Sequence, residues 1–423
     1  MTIKTWTVGI AVLALSATPA FAEQGLSIDS QVKGVAFACD SCCDGCDGCD
    51  GCDCGDGCGC GCGVGGGGLF SGVAGISALE KLSLAGFIPG LADYGIDIGG
   101  WTQYGWTDEA TLLASTGGAS FNDTPDSFNL HQQYFFVGRE ADGSNGFDLG
   151  FRADFVYGID APDTQSFGNP AAGTFDFGGD FTRGDDNHGW AIPQLYGEVA
   201  VGDLSVIIGH FYTLVGYEVV TAPDNFFFSH ALTQYNSEPF THTGVLATYS
   251  GFENMTLYGG WTLGWDTGFD QTNQGNSFLG GFSVDLLDSV TLTYICTYGN
   301  FGAINLGDDD DYGHSVVVDV ALTDNLNYIF QSDYKNVEDV AAGPRDEDLG
   351  INQYLIYSVN DWLGVGGRIE WWSDDTVSHY QATGGLNIKA LDNLIFRPEI
   401  RHDWVPGQDF NEDIAAMDMI LTY

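Results

Sequence analysis

From Tyr94 to the last residue the chain runs in short pieces in which apolar and polar positions alternate. In 147–157, Phe147, Leu149, Phe151, Phe155 and Tyr157 share one parity, while Asp148, Arg152 and Asp154 share the other. In 325–335, Leu326, Tyr328, Phe330 and Tyr334 oppose Asn325, Asn327, Gln331, Asp333 and Lys335. Successive side chains of a strand point to opposite faces, so a period of two predicts strands, each with one greasy and one wet face. Strands are predicted near 94–106, 128–139, 147–158, 190–200, 204–213, 241–250, 255–264, 277–286, 290–299, 313–322, 325–335, 350–359, 362–372, 379–389, 393–404 and 413–423. A turn phrase recurs between alternate pairs: an Asp or Asn, then an apolar residue that starts a new run. It stands at Asp203, Asn254, Asp288, Asp324, Asp361 and Asp392. Such tight turns are hairpin signals. The other links, such as 159–189 and 300–312, are longer, polar and rich in Gly.

About sixteen antiparallel strands joined by alternately short and long links predict an all-β fold, a transmembrane up-and-down β-barrel over 94–423. Alternation alone leaves open whether the greasy face lies inside a soluble sandwich or outside against lipid. Three further features favour lipid. Residues 1–22 read as a secretory signal peptide: Lys4, an apolar run from Val8 to Ala17, and Ala20-Phe21-Ala22 as a cleavage site. The links have the asymmetry of short periplasmic turns and long outer loops. The chain ends "AAMDMILTY", with Ala415, Met417, Met419 and Leu421 apolar at alternate positions before Tyr423. That ending is similar to the terminal strand of bacterial outer-membrane proteins, so Leu421 and Tyr423 are expected to be read by the barrel-assembly machinery.

Composition agrees with wet turns and strands. Gly occurs 61 times and aromatics make up 13% of residues, whereas Lys and Arg together number only 12. With 58 Asp and Glu the formal net charge is −46, which repels nucleic acid and favours cations as partners. Segment 23–93 is different: it is low in complexity and rich in Cys and Gly, with no apolar periodicity to build a core. Its cysteines, Cys39, Cys42, Cys43, Cys46, Cys49, Cys52, Cys54, Cys58, Cys60 and Cys62, are candidates for disulfides or for a soft metal. A stretch near 71–93 reads as a connector with one short helix.

The block 190–266, from "WAIPQLYGEVAVGDLSVIIGHFY" to "TLYGGWTLGWD", and the later "GINQYLIYSVNDWLGVGGRIEWW" resemble the family described as putative β-barrel porin-2, OmpL-like. The resemblance covers roughly 94–423 and implies a porin-like outer-membrane barrel without catalytic residues. It does not extend to the cysteine tract. No G-x-S-x-G, H-E-x-x-H or Walker pattern occurs, and an enzyme is not expected.

A barrel of this size leaves room for water, and charges on its inner face set selectivity. By alternation, Arg139, Arg152, Arg368, Arg397 and Arg401 are expected to face inward along one arc. The link 214–240 is aromatic where the other long links are acidic. It carries Phe226, Phe227 and Phe228, which an outer loop seldom leaves in water. It is expected to fold into the barrel and place Glu218, Asp224 and Glu238 across a gap from the arginines. The alternative is that the arginines pair with neighbours such as Glu370 and Glu399. His210, His230 and His242 lie near this link and are expected to be polar lining rather than metal ligands. In "IFRPEIRHDW", Phe396, Ile400 and Trp404 are assigned to lipid and Arg397, Glu399, Arg401 and Asp403 to water. Pro398 there predicts a local bulge.

The expected function is passive diffusion of ions or small hydrophilic solutes through an outer-membrane porin. The alternative is a structural or adhesive envelope barrel crosslinked through its cysteines. Expected partners are outer-membrane lipids and the permeating solutes, and a homo-oligomer such as a trimer is left open. No cofactor is expected. The run Asp308 to Asp311 is a conceivable Ca²⁺ ligand set, although consecutive acids ordinarily form a solvated loop.

Overall fold

The computed structural model describes residues 90–110, 124–166, 188–302, 310–337, 346–374 and 377–423, with Leu84, Ile88, Phe121 and Asn122. Sixteen strands form one closed antiparallel barrel in which each strand pairs with its sequence neighbours and the first pairs with the last. They are β1 (Asp97–Thr107), β2 (Asn129–Arg139), β3 (Phe147–Gly158), β4 (Gly189–Val201), β5 (Leu204–Tyr212), β6 (Thr241–Phe252), β7 (Met255–Thr262) and β8 (Asn276–Leu287). The second half comprises β9 (Val290–Asn300), β10 (Asp311–Thr323), β11 (Leu326–Val337), β12 (Asp346–Asn360), β13 (Leu363–Asp374), β14 (Val377–Leu391), β15 (Leu394–Val405) and β16 (Phe410–Thr422). Two short helices lie in the links, α1 (Ala161–Thr164) and α2 (Leu232–Ser237). No helix among the described residues is long and apolar enough to cross a membrane.

Closure removes the free edges that an open sheet would expose. Trp101 to Thr107 of β1 pair with Thr422 back to Ala416 of β16. Tyr423 completes the seam, donating its N–H to Gly100 O and accepting from Gly100 N, each at 3.0 Å. Gly100 is required there, because a Cβ would run into the carbonyl oxygen of Tyr134 on β2. Leu421 and Tyr423 thus stand at the closing seam.

The two faces separate as the alternation predicts. Phe147, Leu149, Ile208, Trp261, Leu355, Ile369, Ile400 and Met419 are exposed on the outer face, where hydrocarbon would cover them. Asp154, Gln331, Asp333, Glu370, Arg397, Arg401 and Asp403 are shielded inside. Strand β15 divides as expected, with Ile400 exposed and Arg397, Glu399, Arg401 and Asp403 buried.

Two local readings change. Pro398 makes no bulge: β14 and β15 keep one register from Gly385↔Glu399 to Ile388↔Phe396, and Pro398 still faces Met417 on β16. The register shift in this hairpin falls between Lys389 and Leu391, next to the turn. The second change concerns Arg139. The β1–β2 register shifts between Gln103 and Tyr104, leaving His131 as an extra residue on β2. A bulge moves everything beyond it to the opposite face. Tyr134, Phe136 and Gly138 therefore face inward, and Arg139 lies opposite outward-facing Phe151.

The turn side carries the short links and both barrel ends. On the opposite side, the last two links are also short, since β13 ends at Asp374 before Val377, and β15 ends at Val405 before Phe410. Asp311 belongs to β10 and accepts the N–H of Phe301, and only part of the 308–311 acid run lies in the described residues. The signal segment and the ten clustered cysteines lie outside them.

Candidate functional site: an inward-folded loop

The 213–240 link leaves β5, enters the lumen and returns to β6. Its aromatic residues seat on places where the wall has no side chain. A Cβ at Gly105 of β1 would collide with the Phe228 ring, one at Gly366 of β13 with Phe226, and one at Gly350 of β12 with Thr233. These glycines are recesses cut into the wall for the loop. Replacing Gly366 by Val should unseat Phe226 at a cost of about 1–3 kcal/mol. Faster amide exchange around Phe226 with the barrel intact would be the reading; unchanged exchange would show that the recess is not needed.

The wall's charged side chains bind the loop backbone. Glu399 of β15 accepts from the N–H groups of Phe228 at 2.9 Å and Ser229 at 3.1 Å. Glu370 of β13 accepts from Leu232 N and Thr233 N, both at 2.7 Å, and from Thr233 Oγ1 at 2.6 Å. Those two N–H groups open α2, where a helix leaves its first donors unpaired and where a carboxylate is favoured. Arg368 donates to Ser229 O at 2.8 Å and to Glu218 at 2.6 Å. Arg397 donates to Ala222 O at 2.9 Å and Asn225 O at 2.5 Å while paired to Asp418. On the other flank, Gln132 of β2 donates to Val220 O at 2.8 Å and accepts from Ala222 N at 3.2 Å. Lys335 of β11 donates to Asn236 O at 2.9 Å.

This arrangement revises the expected gap. Glu218 does not face Arg368 across water; it touches it, and also accepts from Tyr354 Oη at 3.1 Å and Ala231 N at 2.7 Å. Burial would raise the Glu218 carboxyl, but Arg368, with help from His230 and the Ala231 N–H, outweighs it and holds the group at about 2. Glu238 meets Gln331 at 2.6 Å on β11, away from the arginines. Asp224 is the exposed acid of the three, and its carboxylate accepts from Thr221 Oγ1 at 2.6 Å.

Arg152, Arg368, Arg397 and Arg401 do line one inner arc, running from β13 through β16 and β1 to β3. Arg152 stays close to Asp154 and lies over the Phe136 ring, 4.1 Å from its centre. Arg401 pairs with Asp403 at 3.1 Å. Arg139 sits at the turn end, bound to Asp148 at 2.9 Å and to Tyr94 O at 3.1 Å. The histidines do not converge on one point: His210 bonds Thr243 and Ser166, His242 bonds Thr213 and Gly264 O, and His230 lies 3.6 Å from Glu218. No group of three metal-ligating side chains occurs among the described residues.

Beside the loop a cavity of about 670 Å³ remains, and its lining reaches Asp97, Asn393 and Tyr423 at the turn end of the strands. Loop residues 214–221 form one side of it; Arg152, Asp154, Gln194, Thr293 and Val317 form the facing wall. Several residues that fix the site escaped the sequence: Gln132, Gln331, Asp333, Tyr354 and the wall glycines. All but one stand on ordinary inward positions, so strand parity marks them; what parity does not give is which of them meets the loop. Gln132 lies beyond the bulge and gave no such signal.

A closed sixteen-stranded barrel with a polar interior, an apolar belt and one long link folded inward defines a porin-type outer-membrane protein. The sequence profile described as "Putative beta-barrel porin-2, OmpL-like" matches residues 95–418, and the chain belongs to that family. Among solved structures, the chain is similar to the outer-membrane channel DcaP of Acinetobacter baumannii at 10% identity, with TM-score 0.53 over 78% of this chain and 98% of that one. It is also similar to an anion-selective porin from Comamonas acidovorans at 8% identity, with TM-score 0.51 over 78% of this chain and 99% of that one. At such identities the likeness is one of fold. No curated protein matches the sequence.

Proposed function

We propose that the barrel passes small hydrophilic solutes and ions by diffusion past the 213–240 loop, with cations ahead of anions. The observation that carries this reading is the acidic cavity left beside the folded-in loop. Its lining holds Asp97, Asp154, Glu218, Asp224 and Glu238 against one basic residue, Arg152. Acids still outnumber cations when Arg368 is counted behind Glu218 and Glu238 is taken as protonated. An excess of fixed negative charge beside a narrow wet path concentrates cations there. Reconstituted protein in a salt gradient should therefore give stepwise currents whose reversal potential has the cation-selective sign. An anion-selective sign would overturn the charge assignment, since the outer loops are acidic as well.

A further inference from the structure

Glu238, near the end of the loop, and Asp333 of β11 turn into one enclosed spot. Nε2 of Gln331 donates to both carboxylates, at 2.6 Å to each. Glu238 is 6% exposed and Asp333 1%. Besides Gln331, the side chain at the Asp333 carboxylate is the neutral hydroxyl of Ser315, directly opposite it on β10. The bridging amide is neutral, and the nearby cations are committed elsewhere. Lys335, two positions along β11, lies 2.6 Å from Asp348 and donates to Asn236 O. Arg368 of β13 lies 2.6 Å from Glu218. The other charged groups facing Glu238 are also acids, Glu218 of the loop and Glu370 of β13. Two enclosed carboxylates with no cation between them cannot both stay ionised, and the simplest neutraliser is a hydrogen ion held by the pair.

We propose that Glu238 and Asp333 hold one proton between them, and that this proton latches the returning half of the loop to β11. The inference rests on the loop being the constriction of the proposed pore. Oε2 of Glu238 also packs against Gly216 on the outgoing half of the loop, where φ is +94° and a Cβ would strike the carboxylate. Ionising the pair pushes Glu238 away from the wall and against Gly216, so both limbs of the loop feel the change.

The sign follows from the groups present. Burial first, then the Asp333 charge, pushes the Glu238 carboxyl well above the usual carboxylate range. The latched form therefore binds the proton more tightly than a released loop does. The latch is fully present in acid and is lost as the pH rises through that raised value.

Amide hydrogen exchange of the folded protein in detergent tests this, because it reads loop release even in a channel that passes no current. The reporters are the Phe228, Ser229, Leu232 and Thr233 amides, which the wall carboxylates hold. Wild type is compared with Glu238→Gln at the same pH, so base-catalysed exchange cancels. At about pH 4, below the ordinary carboxyl value of 4.5, the two should match, and at about pH 10 wild type should exchange about tenfold faster or more, as loss of one unit of proton affinity implies. Asp333→Asn should behave like Glu238→Gln and serves if that variant does not fold. A wild-type-to-variant ratio that stays constant over this pH range would overturn the proposal.

Discussion

Replacing Arg368 by Met should detach the 213–240 loop from β13 and raise the single-channel conductance. Arg368 is fully enclosed, and its guanidinium serves Glu218, Ser229 O and Ser229 Oγ together. Met fills similar space but leaves Glu218 as a buried carboxylate without its cation. Breaking a buried pair from one side costs about 3–5 kcal/mol, because the partner's charge is stranded. The barrel has many strand ladders to hold it, whereas the loop has only its anchors, so the loop is what gives way. At about 1.4 kcal/mol per factor of ten, the bound-to-released ratio should fall by roughly a hundredfold or more. Intermittent openings to a larger current level are the expected trace. A current trace identical to wild type from correctly folded protein would show that the pair does not hold the loop. Acid should mimic the mutation only at an extreme. A carboxyl held at about 2 contributes its full stability above its ordinary value of 4.5, and that contribution is lost progressively as the pH falls from there through about 2.

Replacing Arg397 and Arg401 by Leu should separate two roles that look alike in the sequence. As facing charges on a pore wall, both would be expected to raise cation preference when neutralised. The structure expects something else of Arg397. Arg397 is buried, and its guanidinium holds Ala222 O, Asn225 O and Asp418. Arg397→Leu alone should free the 222–225 part of the loop from β15 and leave Asp418 buried without its cation, again at about 3–5 kcal/mol. The conductance should rise, and selectivity should shift only as far as the wider path allows. Arg401 pairs its charge with Asp403 of its own strand, so Arg401→Leu should change the loop's amide exchange less than Arg397→Leu does. Equal effects of the two substitutions on loop exchange would contradict this division.

The barrel was legible because its signals are local and repeated. Each strand shows its own alternation, each tight turn its own Asp or Asn, and β15 places Arg397, Glu399, Arg401 and Asp403 on the wet face by parity alone. The Arg139 assignment failed because one extra residue, His131, resets that parity, and a bulge has no strong signature in a chain this rich in Gly. Pro398 misled in the opposite direction: the strand tolerates the missing N–H by leaving pairs out of the β14 ladder while keeping register. The aromatic character of 226–228 announced that the loop turns inward. Its docking was not legible, since Gly105, Gly350 and Gly366 acquire meaning only when the loop residues opposite them are known. For the same reason the sequence offered Glu370 and Glu399 as partners for arginines, when they bind the loop's N–H groups instead.

Single-channel recording in a planar bilayer, with a salt gradient to read selectivity, tests the central claim most directly. Folded protein should give stepwise currents with a cation-selective reversal potential. Membranes that stay silent while containing correctly folded barrel would contradict it.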